Sequence, residues 1–253
     1  MDIYNNIAKI SLQHFSKLPK TGKPTENEWT ILSTIVKDDR KMNSLEVVAL
    51  GTGTKCIGVN QMSANGDILN DSHAEIICRR SFLKYLYFEI KACIAKNYKS
   101  DLLDFCFVTK KFSMKHRFKF HFFTTHVPCG DAAIFQKEEN GISTTETDIC
   151  SENIVHNPMK KIKLDYKNVD IYRTGAKCLP QGPLADPHDT SVNFHVVGVI
   201  RTKPGRGDPT LSVSCSDKIA KWCYLGIQGS LLSFLLVKPI YINSFTVAAN
   251  TSS

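Results

Sequence analysis

The sequence predicts an α/β fold in which helices pack on a β-sheet. Two stretches are rich in β-branched and aromatic residues, as strands are: SLEVVALGTG at residues 44–53 and FKFHFFTT at residues 118–125. Between them, from Ser72 onwards, apolar residues recur at helical spacing for about twenty residues. Strands that alternate with helices along a chain are typical of a domain in which helices cover a sheet.

Other segments extend this alternation along one predicted domain, residues 1–253. The turn HVPCGDAAIF, after the second strand, is predicted to open a further helix. The polar stretch 136–168 has no periodicity, and we predict that it is a surface insertion. Further helices are predicted at residues 3–18, 28–37 and 216–224, short strands at 56–59 and 191–200, and a last apolar segment at 231–242.

The composition is that of a folded globular protein. Of 253 residues, 42% are hydrophobic and 22% are charged, which excludes a disordered or collagen-like chain. No apolar run approaches the ~18 residues that indicate a membrane span. The first twenty residues lack the apolar core of a secretory signal peptide. We therefore expect the protein in the cytoplasm or nucleus, without a membrane partner.

Two short motifs carry candidate chemistry. His73–Ala74–Glu75 lies at the predicted start of the long helix, and Pro128–Cys129 lies in the turn predicted to open the next one. Together they match much of the H-x-E…P-C pattern of zinc-dependent nucleobase deaminases. A helix N-terminus favours the thiolate form of a cysteine, so Cys129 can be a metal ligand beside a neutral His73. Glu75 is then expected to stay off the metal as a proton shuttle.

A catalytic zinc ion takes three protein ligands and keeps one open position, so a third ligand is needed. The usual P-C-x-x-C pattern would place it at residue 132, which is alanine here. Cys215, in VSCSDKIAKW, is favoured because it lies at a predicted strand-to-helix junction. The remaining cysteines are weaker candidates, and in a reducing compartment they are not expected to form disulfides. They are Cys56, Cys78, Cys93, Cys106, Cys150, Cys178 and Cys223.

Longer segments extend the match. NDSHAEIICRRSFLKYLY, THVPCGDAAIF and SCSDKIAKW, followed by GIQGSLLS and PIY, resemble the adenosine deaminase domain of RNA-editing and tRNA-editing deaminases. LPKTGKP with EWT, YRTGAKC and RTKPGRGD resemble the tRNA-specific branch more than the double-stranded-RNA editors. The resemblance implies a three-layer deaminase-like fold. In that fold a central mixed sheet has helices on both faces and the zinc site lies at helix N-termini.

The resemblance also implies a reaction. His73, Cys129 and Cys215 would hold Zn²⁺, and Glu75 would be the acid/base in the hydrolytic deamination of adenosine to inosine. In the tRNA-specific branch the substrate is the adenosine just 3′ of the anticodon (position 37) of tRNA-Ala. We therefore expect tRNA, rather than DNA, as the partner.

The long helix carries an unusual charge. Arg80 falls on the apolar stripe between Ile76 and Leu83, and a buried guanidinium needs an anionic partner. RNA-editing members of the family bury an inositol hexakisphosphate beneath the active site. The matching positions here are Asn70, Arg79, Arg80, Lys218, Lys221, Trp222 and Gln228. Four of them are cations on two helices that must converge at the metal, so their mutual repulsion favours a bound polyanion.

The charge balance suits a polyanionic partner. Lys and Arg number 32 against 24 Asp and Glu, which leaves a net charge of +8. In RTKPGRGDP, glycine and proline present cations on a predicted loop, so Arg201, Lys203 and Arg206 are the favoured RNA contacts. The LPKTGKP segment is the second choice.

Two alternatives stay open. The family's domain continues beyond PIY, whereas this chain ends at TVAANTSS, so we expect a C-terminally incomplete domain. Such a chain could be a catalytically impaired, zinc-containing RNA-binding fragment. A deaminase of free nucleosides would share the two short motifs, but the basic loops and the missing P-C-x-x-C disfavour it.

Overall fold

A computed structural model of the chain describes residues 2–136, 171–172, 175–179, 197–204 and 208–248. The helices and strands follow in chain order: α1 (Ile3–Lys17), β1 (Leu32–Asp39), β2 (Ser44–Thr52), α2 (Ala74–Ala95), β3 (Leu103–Cys106), β4 (Lys111–Met114), β5 (Phe118–Thr124), β6 (Phe135–Gln136), β7 (Ile171–Tyr172), β8 (Lys177–Cys178), β9 (Arg201–Pro204), β10 (Pro209–Val213), α3 (Cys215–Leu225), α4 (Gly229–Leu235) and β11 (Ser244–Val247). Single turns of 3₁₀-helix occur at Val59–Gln61 and Asp131–Ala133.

A four-stranded mixed sheet, in the order β11-β5-β1-β2, forms the centre of the fold. β1 pairs antiparallel with β2 and β5, and β11 lies parallel to β5. Smaller ladders join β10-β9-β8, β3-β4 and β6-β7. The central sheet therefore provides two faces on which helices can pack.

Helices cover both faces of this sheet. On one face, α1 buries Ile7 against Val36 of β1. On the other face, Phe82 of α2 packs edge-on against Phe120 of β5, and Trp222 of α3 joins the same cluster. Full burial of each such side chain stabilises the fold by about 1.5–3 kcal/mol. The predicted α/β architecture, with helices on both faces of a mixed sheet, is confirmed.

The predicted helix at residues 28–37 is wrong, because this segment enters the central strand β1. Seven of the eight residues of β1 are buried, since helices cover the sheet on both sides. Its sequence, LSTIVKDD, is neither a continuous apolar run nor a strict alternation, because the polar residues Ser33, Thr34, Asp38 and Asp39 are buried in it as well. Hydrophobic periodicity alone therefore does not identify this segment as a strand.

The helix predicted to open in HVPCGDAAIF is also wrong. Only the 3₁₀ turn Asp131–Ala133 forms there, and β6 follows it. Gly130 reverses the chain with φ of 102°, and a Cβ at this position would overlap the side chain of Ser214. The segment is therefore shaped by its contact with the residue before α3, which lies far away in sequence.

Three further predictions, for residues 56–59, 191–200 and 136–168, are wrong or lie partly outside the described residues. Residues 56–59 form no strand, since they pair only through one bridge between Cys56 and Asp71. Within the predicted strand 191–200, residues 191–196 lie outside the described part of the chain and residues 197–200 are irregular. A strand forms just after this segment, as β9, within the stretch RTKPGRGDP that was predicted to be a loop. Of the predicted insertion, residues 137–168 lie outside the described residues.

No helix in the described part of the chain is long and apolar enough to cross a membrane. The longest helix, α2, has 22 residues but carries six charged side chains. This agrees with the sequence, in which no apolar run approaches the length of a membrane span.

Candidate metal centre

His73, Cys129 and Cys215 bring their ligand atoms together at one edge of the central sheet. The three atoms lie within 4.8 Å of one another. Nδ1 of His73 lies 3.9 Å from Sγ of Cys129 and 3.6 Å from Sγ of Cys215. With Zn–S near 2.3 Å and Zn–N near 2.0–2.1 Å, a tetrahedral zinc would separate such ligands by about 3.6 Å. The three residues could therefore hold a zinc ion and leave a fourth position open.

The starts of two helices position His73 and Cys215. His73 is the N-cap residue of α2, and its backbone N–H donates to Oδ1 of Asp71 at 3.1 Å. Cys215 is the first residue of α3, where the hydroxyl of the N-cap Ser214 accepts the N–H of Asp217. N-capping by Ser214 stabilises α3 by about 1 kcal/mol and fixes the backbone of Cys215. His73 makes no side-chain capping bond, and the carboxylate of Asp71 holds its backbone instead.

Cys129 lies in the loop after β5, where no α-helix begins. The helix N-terminus that faces its sulfur is that of α3, which is distant in sequence. The backbone N–H of Cys215 donates to Sγ of Cys129 at 3.3 Å, so the positive end of the α3 dipole faces this sulfur. The backbone N–H of Ser216 donates to the carbonyl oxygen of Cys129 at 2.9 Å. The environment predicted for Cys129 is therefore present, but a tertiary contact supplies it.

The thiols of Cys129 and Cys215 titrate as a pair. The pKa of Cys129 is lowered to about 4, because Cys215 donates a hydrogen bond to its sulfur and because His73 and Lys203 also stabilise the thiolate. The same hydrogen bond, together with burial, raises the pKa of Cys215. The metal-free pair thus holds a thiolate at Cys129 and a proton at Cys215, and binding of a cation would release that proton.

Glu75 lies in the first turn of α2 with only 1% of its surface exposed. Its Oε2 atom is buried and has no hydrogen-bond partner among the described residues. Burial raises the pKa of this carboxyl. A buried carboxyl with a raised pKa beside a metal centre can accept and return protons near neutral pH.

Behind Cys215 lies a buried network of charges that the sequence analysis missed. Nζ of Lys203 donates to Sγ of Cys215 at 3.1 Å and to the two carboxylate oxygens of Asp71 at 2.9 and 2.8 Å. Nζ of Lys218 donates to Oδ2 of Asp71 at 2.6 Å. Burial alone would raise the pKa of Asp71, but the two lysines lower it. The network therefore holds a positive charge against the sulfur of a candidate ligand.

Two of the predicted RNA contacts, Arg201 and Lys203, are contradicted by their burial. Both lie in β9 with their side chains fully enclosed. Nε of Arg201 forms an ion pair with Asp131 at 3.2 Å, and Lys203 pairs with Asp71. Residues two apart in a strand face the same side, and here that side is the interior. The third predicted contact, Arg206, lies outside the described residues.

Replacing Lys203 by methionine is expected to weaken zinc binding by about 10–100-fold, because Cys215 would lose the cation that stabilises its thiolate. Competition with a chelator would measure this affinity on protein shown to be folded by circular dichroism. Lys238→Met, at an exposed lysine, is the control and should leave zinc affinity unchanged. An unchanged affinity in folded K203M would mean that Lys203 only supports the fold.

A cavity of about 570 Å³ lies between α2, α3 and α4. No aspartate or glutamate is among the residues that line it. The guanidinium of Arg79 stacks 5.5 Å from the centre of the Trp222 ring, and burial lowers its pKa. The residues that line the cavity include five of the seven positions predicted to bind inositol phosphate: Arg79, Lys218, Lys221, Trp222 and Gln228.

The other two predicted positions, Asn70 and Arg80, are not among the residues that line this cavity. Arg80 is exposed because the buried stripe of α2 follows Cys78 and Phe82, and a residue halfway between them points to the opposite side. Lys218 is already paired with Asp71. The predicted cluster of four buried, unpaired cations is therefore wrong, and a smaller basic cavity takes its place.

Comparisons with known proteins show the family to which most of the chain is similar. Residues 49–253 match the family described as the adenosine-deaminase (editase) domain. The chain is 42% identical to tRNA-specific adenosine deaminase 1 of Drosophila melanogaster over 94% of its length and 53% of that protein's. It is 34% identical to the Homo sapiens protein of that name over 96% of its length and 65% of that protein's. With double-stranded RNA-specific adenosine deaminase of Mus musculus the identity is 30%, over 96% of this chain and 19% of the relative.

The chain spans about half to two thirds of the length of the tRNA-specific relatives that it matches. The family match nevertheless covers most of the chain and includes all three candidate metal ligands and Glu75. The chain therefore belongs to the adenosine-deaminase (editase) domain family.

Proposed function

We propose that this chain catalyses the hydrolytic deamination of adenosine to inosine in tRNA. The observation that carries the proposal is the buried carboxyl of Glu75, whose Oε2 atom has no hydrogen-bond partner among the described residues, beside the His73, Cys129 and Cys215 cluster. A structural zinc site would be closed by a fourth protein ligand and would need no such carboxyl. The arrangement instead suits a metal centre at which protons are transferred.

In this proposal His73, Cys129 and Cys215 hold the zinc ion. When bound, the ion lowers the pKa of a water molecule from 15.7 to ~7 and so supplies a nucleophile at neutral pH. Water adds to C6 of an adenine flipped out of its stack, the C6–amino bond breaks, and ammonia leaves. Glu75 would take one proton of the water and give it to the purine ring, and would then take the proton of the hydroxyl formed at C6 and give it to the departing amine.

The substrate assignment draws on the relatives and on charge. Relatives named tRNA-specific adenosine deaminase 1 are 34–42% identical to the chain, and the net charge of +8 suits an RNA partner. The finer assignment, to the adenosine at position 37 of tRNA-Ala, draws on the resemblance of LPKTGKP, YRTGAKC and RTKPGRGD to the tRNA-specific branch. Because Arg201 and Lys203 are buried, exposed Lys20 in LPKTGKP becomes the favoured phosphate contact.

The test is incubation of zinc-loaded protein with a tRNA pool, followed by sequencing for adenosine-to-inosine changes. We expect one dominant site, at position 37 of tRNA-Ala. Turnover of free adenosine without change in tRNA would indicate a nucleoside deaminase. Zinc and tRNA binding without any inosine would indicate a non-enzymatic RNA-binding fragment.

We also propose that the basic cavity binds inositol hexakisphosphate. Arg79, Lys218 and Lys221 surround a space without acidic lining, and polyphosphates bind to such groups through charge-assisted hydrogen bonds. The amide of Gln228 has a different role, because it donates to the carbonyl of Leu225 and accepts the N–H of Ile240. We therefore assign the ligand to Arg79 and Lys221, together with Lys218, whose ammonium group also pairs with Asp71.

Mass spectrometry of protein purified from a eukaryotic host and then denatured is expected to release one inositol hexakisphosphate per chain. Arg79→Met should lower this occupancy, because a half-buried guanidinium that lines the cavity would be lost. Arg80→Met is the matched control, since the neighbouring arginine is exposed. Absence of inositol phosphate from a folded, zinc-loaded preparation would contradict the proposal.

A further inference from the structure

Trp29 is an exposed indole at the edge of the sheet that carries the metal centre. It is one of two tryptophans in the chain, and 71% of its surface is exposed, whereas Trp222 is buried. No hydrogen bond engages its ring among the described residues, and its one ring contact is with His126. An exposed tryptophan of this kind buries a large apolar surface when a flat ligand covers it.

The pairing of β1 with β5 brings Trp29 and His126 together. Trp29 precedes the start of β1 by three residues, and His126 follows the end of β5 by two. Beyond the sheet, the N–H of Thr125 donates to the carbonyl of Leu32 at 2.9 Å, and its hydroxyl accepts the N–H of Leu32 at 3.0 Å. The two rings lie 6.3 Å apart at an angle of 54°. They therefore form one aromatic surface held by the central sheet.

This aromatic surface is linked to the metal centre from two sides. His126 is three residues before Cys129, so the chain keeps their Cα atoms within about 11 Å. On the other side, the N–H of Gly53 donates to the carbonyl of Ile31 at 3.3 Å, and the carbonyl of Gly53 accepts the N–H of Ala74, next to His73, at 2.9 Å. The rings thus lie at a distance that a nucleotide beside the reacting one can reach.

An adenosine that reacts at this centre must leave its stack, and the bases beside it then lose a stacking partner. Aromatic and histidine rings bind unpaired bases by stacking, largely without regard to base identity. We propose that Trp29, with His126, stacks on an unpaired base next to the reacting adenosine. The proposal rests on the proposed function, because it takes RNA as the ligand of the site.

The test compares Trp29→Ala and Trp29→Phe with wild type, with Phe88→Ala as the matched control. Phe88 is 68% exposed and lies on α2, 15 residues and so about 22 Å from the end that holds His73. We expect W29A to bind a tRNA pool about 5- to 150-fold more weakly and to form inosine correspondingly more slowly at low tRNA concentration. W29F should retain most of the affinity, and F88A all of it.

Fluorescence gives a readout that does not depend on turnover. Titration with tRNA should quench the emission of Trp29, taken as the difference between wild type and W29F, which removes the signal of Trp222. Absence of quenching at saturating tRNA would overturn the proposal, as would a folded W29A that binds tRNA like wild type. If wild type forms no inosine, the proposed function fails, but quenching still decides whether Trp29 stacks on RNA.

Discussion

Replacing Glu75 by glutamine is expected to slow inosine formation by about 10²–10⁴-fold or more while the chain keeps its zinc. Glutamine has nearly the same size as glutamate, so it fits the same buried site in the first turn of α2, but it cannot accept a proton. Single-turnover formation of inosine in tRNA would give the rate, and zinc analysis would give the metal content.

This substitution is not expected to harm the fold. The Oε2 atom of Glu75 has no hydrogen-bond partner among the described residues, so an uncharged amide should leave the melting temperature unchanged or raise it. Glu89→Gln, on the same helix but four turns away from the metal, is the matched control and should keep the full rate. Near-normal turnover in zinc-loaded E75Q would remove Glu75 from the reaction.

Replacing Cys215 by serine is expected to reduce zinc from one ion per chain to almost none. A hydroxyl does not ionise at neutral pH, so only His73 and Cys129 would remain as ligands, and a catalytic zinc needs three. The activity should fall with the metal. Zinc content after dialysis against a weak chelator measures the loss, and circular dichroism shows whether the chain stays folded.

Cys223→Ser is the matched control for this loss, because Cys223 lies on the same helix and is exposed. Cys178→Ser, in the strand β8, is a second control. Neither change should release zinc. If one of them released the metal while C215S retained it, Cys215 would not be the third ligand.

Local spacing was enough to identify the candidate chemistry. His73 precedes the first residue of α2 and Glu75 lies in its first turn, and a helix start followed by an apolar pattern is visible within a few residues. Cys215 is favoured because it lies at a predicted strand-to-helix junction, and it is the first residue of α3. The long helix and the strands β2 and β5 could be predicted because the hydrophobic periodicity of each is visible within about ten residues. The resemblance to known deaminases required only that these short motifs occur in the right order.

Contacts between distant segments decided which charges are buried and which rings meet. Lys203 lies 132 positions from Asp71, so nothing near RTKPGRGDP in the sequence indicates that this lysine forms a buried ion pair with a carboxylate. Likewise, β1 is buried even at Ser33, Thr34 and Asp38 because helices cover the sheet on both sides, and Trp29 meets His126 because β1 pairs with β5. Propensity and periodicity reflect the preferences of neighbouring residues, whereas burial depends on what packs against a segment. Only the folded chain therefore distinguishes an exposed cation from one that is buried beside a candidate metal ligand.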